Sequence, residues 1–118
     1  MTIKRKEDKE SIVDNLLITK RKGHNLEIDL MFKGMETEAE NIRTKTNKLS
    51  KKVDRLLADL MNDWIGSAKS TIESTRKTNQ NLQKAIRDIK KDVEVAKNIV
   101  KAVGYLDEAI VIAVNLLA

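Results

Sequence analysis

The side chains able to do chemistry are few and scattered. His24 is the only histidine, inside the stretch Lys20-Arg21-Lys22-Gly23-His24-Asn25. An acid–base histidine needs a group that orients its ring, and a metal-binding one needs further ligands at helical or loop spacing. Neither is in place. Asp29, Glu36, Glu38, Glu40, Asp54, Asp59 and Asp88 have no matched histidine or paired carboxylate, and no Glu-x-x-His occurs. Cysteine is absent, which removes thiol chemistry, disulfides and cysteine-based metal sites. There is no glycine-rich phosphate loop and no serine–histidine–aspartate set. The expectation is a protein that is not an enzyme and holds no cofactor and no metal.

Binding is the chemistry the sequence favours. Before residue 64, Phe32, Met35, Ala39, Ile42, Thr46, Leu49, Val53, Leu56 and Leu60 recur in steps of three and four. After it, Leu82, Ile86, Ile89, Val93, Ala96, Val100 and Val103 do the same. Such spacing lays each set along one stripe of an α-helix. The composition agrees: 118 residues, no proline, four glycines, 41% hydrophobic, 35% charged and 3% aromatic. That is one small domain with an aliphatic core and solvated helix faces.

The expected architecture is all-α. A basic N-terminal extension, 1–25, carries a short amphipathic helix built on Ile12, Val13, Leu16 and Leu17 and ends at the 20–25 linker. A long antiparallel hairpin, 26–118, follows: helix one over about 26–63, a turn at 64–66, and helix two over about 67–117. Ser70 and Glu73 have capping-box spacing and offer an alternative start for helix two. Gly34 is read as a weak spot within helix one, and Thr46 as a polar residue on its stripe. Folded about residue 65, the hairpin sets Leu49, Val53, Leu56 and Leu60 against Leu82, Ile86 and Ile89, in cis or against a second hairpin in trans. Helix two outruns helix one, since at about 1.5 Å per residue they span roughly 75 and 55 Å. The surplus is the apolar stretch from Ala109 to Ala118, with Ile110, Val111, Val114 and Leu117 as its interface residues. It needs a cover, either the short first helix or another chain.

The net charge is +5, with Lys4, Arg5, Lys6, Lys9, Lys20, Arg21 and Lys22 outnumbering the acids of the first 25 residues. Interleaved acids and the lack of an aromatic stacking platform argue against a nucleic-acid partner. Ten apolar residues do not span a bilayer, so membrane insertion is not expected. No apolar run follows the basic start, so a cleavable signal peptide is not expected either.

The turn carries a resemblance. Leu60, Trp64, Gly66 and Ala68, flanked by two helices, look like the Trp-x-Gly signature of the WXG (ESX-type) proteins of type VII secretion. The likeness covers about residues 28–110. It implies a hairpin with tryptophan packed at the turn, two hairpins pairing as an antiparallel four-helix bundle, and export without a cleavable signal, or a cytoplasmic location before export. The family's export signal is a tyrosine followed four residues later by an acid. Here Tyr105 is followed at that distance by Ala109, with acids at Asp107 and Glu108, so the signal is degenerate. The resemblance therefore implies a small secreted protein or a targeting companion. Its partners would be another helical-hairpin protein, as homo- or heterodimer, or the N-terminal helical domain of a secreted toxin, together with the secretion machinery. Two alternatives stand beside it: a generic coiled-coil adaptor or assembly protein, and a membrane-active helical toxin component.

Overall fold

The computed structural model describes residues 1–117. Its elements run β1 (Thr2–Ile3), α1 (Lys6–Phe32), α2 (Glu36–Ala58), β2 (Trp64–Ile65), α3 (Ala68–Lys90) and α4 (Val95–Leu117). The all-α expectation holds in outline, as a four-helix bundle with a two-stranded antiparallel ribbon across one end. The single long hairpin does not. Each expected long helix is broken, and the bundle is only 44 Å long.

The first break is at 33–35. Gly34 adopts φ +76°, Met35 N–H donates to Leu30 O at 2.9 Å, and Gly34 N–H donates to Met31 O at 3.0 Å. This is a Schellman stop, which needs a left-handed residue just past the helix end. Gly34 is thus a terminator and not a weak spot. The second break, at 91–94, is the same motif without glycine. Asp92 sits at φ 58°, Val93 N–H reaches Asp88 O at 2.9 Å and Asp92 N–H reaches Ile89 O at 3.0 Å. Aspartate tolerates the left-handed region better than most residues. A 2.6 Å ion pair from Lys33 Nζ to Asp92 Oδ1 ties the two turns together at one end of the bundle.

The N-terminal boundary is also corrected. Residues 20–25 are not a linker, because α1 continues through them. Gly23 is buried there against α2. A Cβ at Gly23 would lie 2.5 Å from Thr46 Oγ1 and 3.2 Å from Leu106 Cδ2. Glycine is present for close helix approach, not for a turn. Near it, the Glu27 carboxylate bonds Arg43 Nε at 2.7 Å and holds that guanidinium above its ordinary pKa.

Neighbour relations follow from these breaks. α1 packs on α2 and α3, and α4 packs on α2 and α3. α2 and α3 therefore stand diagonally, and the 59–67 connection crosses the bundle end instead of turning back on its neighbour. Cross-links at Asn15–Thr75 and Lys33–Asp92 place α1 parallel to α3. Two clusters make up the core. Near the Trp64 end, Ile12, Val13 and Leu16 meet Leu49, Val53, Leu56, Ile110, Ala113 and Leu116. Toward the other end, Leu26 and Leu30 meet Ile42, Leu82, Ile86, Ile89, Ala102 and Leu106.

Candidate interaction surface

The Trp-x-Gly segment is structural first. Trp64 is fully buried, at 0% exposure, under the crossing connection. Its backbone pairs with Ile3, its Nε1–H donates to Asp59 O at 3.1 Å, and the Lys9 ammonium stands 5.6 Å from its ring centroid. Gly66 takes φ +128°, which a side chain would strain, and Ser67 then caps α3 by accepting from Ser70 N–H at 3.3 Å. The cap is Ser67, so the Ser70–Glu73 start is not used. Leu60 is exposed beside the Trp64 ring, which plugs this end of the bundle, and Ala68 opens α3.

Lys9 was not legible as a functional residue. It is 4% exposed and donates to Leu60 O at 2.8 Å and Asn62 O at 2.6 Å. It fastens α1 to the connection that follows α2. Lys9→Met is expected to strand both carbonyls and lower stability by about 2–3 kcal/mol, the scale of buried charge-assisted hydrogen bonds. Urea titration measures this; a loss below about 0.5 kcal/mol would show that water replaces the ammonium.

The expected stripe pairs do not face each other. Leu49, Val53 and Leu56 lie in the Trp64 cluster, whereas Leu82, Ile86 and Ile89 lie in the other. The reason is the diagonal placement of α2 and α3. Val93 is no stripe residue; it sits in the 91–94 turn, half-exposed. Phe32, placed on the first stripe, is 89% exposed at the end of α1. Tyr105 packs partly buried against the second cluster. Asp107 Oδ1 pairs with Lys45 at 2.9 Å, and Glu108 Oε2 accepts from Thr78 Oγ1 at 3.4 Å. The apolar tail divides. Ile110 is buried under α1 and α2, and Leu117 packs partly buried at the cluster edge. Val111 and Val114 face outward. Ala118 lies outside the described residues.

Apolar side chains are exposed at the end of α1 (Ile28, Met31, Phe32), around the 59–67 connection (Leu57, Met61, Ile65) and along the outward side of α4, where they extend over most of the helix. Val100 is 72% exposed and Val111 55%, with Gly104 between them. On the α2 side a groove of about 360 Å³ is lined by Met35, Glu38, Asn41 and Val100. On the α3 side a groove of about 650 Å³ is lined by Lys77, Thr78, Gly104, Glu108 and Val111. Both are open troughs without convergent catalytic groups. Among the described residues no set of histidine, cysteine, aspartate or glutamate gathers to hold a metal ion, and no helix is long and apolar enough to cross a membrane.

Comparison with protein-family models, curated proteins and solved structures finds no match.

Proposed function

We propose that this protein is a non-enzymatic pairing component that docks a helical partner on the outward face of α4. One observation carries the reading: α4 is apolar on its core side and again on its solvent side, at Val100, Val111 and Val114. α2 and α3 present mainly charged residues outward, and the exposed apolar residues of α1, Ile28, Met31 and Phe32, are confined to its C-terminal end. A helix with apolar residues on its solvent side as well as its core side, here among Lys97, Lys101 and Glu108, has the composition of an interface. Of the two stripes, Leu49, Val53, Leu56, Leu82, Ile86 and Ile89 are consumed within the bundle, whereas Ala96 and Val100 of the second stripe turn outward and belong to the α4 face.

The specific version is a component of a type VII secretion system, as a small secreted protein or a companion of a larger toxin. The Trp64-x-Gly66 segment and the degenerate signal at Tyr105, Asp107 and Glu108 support it. The motif joins two hairpins here instead of forming the tip of one.

Two measurements test the proposal. The double variant Val100→Asp, Val111→Asp is expected to abolish association with the helical partner, read by light scattering on the chain alone and by co-purification with the product of the adjacent gene. Its unfolding free energy should stay within about 0.5 kcal/mol, as for other exposed positions. Retained binding sinks the α4 reading. Export is tested by comparing culture medium from cells with and without the secretion ATPase; equal amounts in both remove the secretion role.

A further inference from the structure

We infer that the partner on α4 is a second copy of this chain, its α4 crossing antiparallel at Gly104. The inference rests on the α4 docking face proposed above and names its occupant.

Gly104 lacks a reason inside the fold. It lies in the middle of α4, and a Cβ there would meet nothing within 4 Å. Glycine at an exposed helical position costs roughly 1 kcal/mol relative to alanine. Gly23, in contrast, is explained by the Thr46 contact. What an open glycine offers is close approach by an outside backbone.

The charges around Gly104 are arranged for self-pairing. Lys97 and Lys101 are exposed on its N-terminal side and Glu108 on its C-terminal side, whereas Asp107 is held by Lys45 of α2 at 2.9 Å. An antiparallel partner centred on Gly104 brings Lys101 close to Glu108 of the second copy, because they stand three and four residues from the crossing on opposite sides of it. A parallel partner would set like charges against like. Such complementarity fixes register and direction. The apolar positions follow the same symmetry, since Val100 and Val111 of opposite copies come within a helical turn of each other.

The two grooves fit a crossing helix. The groove beside α2 flanks the N-terminal half of α4, and the groove beside α3 flanks its C-terminal half. A helix laid obliquely over Gly104 enters both.

A single cysteine tests this, since the chain has none. Helices packed about 8–10 Å apart, with Cα atoms about 2.3 Å from their axes, bring the two residues at a crossing to about 3.5–5.5 Å. The upper part of that range suits a disulfide. Gly104→Cys is expected to form a covalent dimer rapidly under mild oxidation. Val100→Cys should not, because its copy lies about 12 Å away along the axis. Light scattering on the unmodified chain should give about 27 kDa, twice the 13.4 kDa monomer. Gly104→Lys should return it to a folded monomer with unchanged helical content, as its side chain meets open space within the chain, and its melting temperature should no longer depend on protein concentration. A 13.4 kDa species, together with a Gly104→Cys variant that forms no disulfide, overturns self-pairing. If that monomer still binds the adjacent gene product and loses it on Gly104→Lys, the docking face stands and only its occupant changes. A dimer that ignores both Gly104 substitutions overturns the α4 geometry.

Discussion

Replacing Trp64 with alanine is expected to lower the unfolding free energy by about 3–5 kcal/mol, the scale of a large buried aromatic deleted from a core. The ring is fully enclosed, and it is the common neighbour of β1, the 59–67 connection and Lys9. Its loss leaves Asp59 O without the indole donor and Lys9 without the ring beneath it. For a domain with about 5–15 kcal/mol in hand, that is a large fraction. The melting midpoint should fall by roughly 10–20 °C. Trp64→Phe should recover most of the loss, since it keeps a ring and gives up only one hydrogen bond. The protein carries a single tryptophan, so its fluorescence reports on this end directly in the unmodified chain. A melting shift under about 3 °C in the alanine variant would mean that the plug is not what holds the crossing connection.

The second large effect concerns Gly23. In most helix interiors glycine to alanine is stabilising, by up to about 1 kcal/mol. At Gly23 the sign is expected to reverse. The new Cβ would sit 2.5 Å from Thr46 Oγ1 and 3.2 Å from Leu106 Cδ2, so α1 and α2 must separate or Thr46 must turn. Overpacking of this kind costs about 1–3 kcal/mol. Thr46→Ala removes the blocking oxygen, which is buried without a hydrogen-bond partner. The double variant Gly23→Ala, Thr46→Ala should therefore be more stable than Gly23→Ala alone. A double-mutant cycle from denaturant unfolding gives the coupling. Additive effects, or a stabilised Gly23→Ala, would show that the two helices are not held at this distance.

The contrast between the two glycines nearest the helix centres bears on function. Gly23 is enclosed by Thr46 and Leu106, and Gly104 faces open space. The same residue type serves an internal close approach in α1 and, on our proposal, an external one in α4. Substitution separates them: Gly23→Ala should destabilise the monomer, whereas Gly104→Lys should change only assembly.

The amino-acid sequence by itself determined the helical class, the identity of most core residues and the place of the main interruption. Three-and-four spacing reports one face of a helix directly, and Leu49, Val53, Leu56, Leu82, Ile86 and Ile89 are buried as that spacing requires, whereas Phe32, Leu60, Val93, Ala96 and Val100 of the same stripes are exposed because the helices end or turn where the pattern runs on. The Trp64 and Gly66 pair marked the connection, because a large aromatic and a residue free to adopt positive φ rarely share a helix interior. Tertiary structure alone decided where the helices stop and which stripes meet. A periodic pattern names a face but not what it faces. It also runs unbroken through a Schellman stop such as that at Asp92, where no glycine announces the left-handed residue. Gly23 misled in the opposite sense, since a glycine beside basic residues reads as a helix end until the backbone packed against it is known. The outward apolar face of α4 became visible only once its core side was assigned to Ala102, Leu106, Ile110 and Ala113. Periodicity cannot distinguish a wide buried stripe from two stripes on opposite sides when both are apolar, and only the packing of the other three helices chose between them.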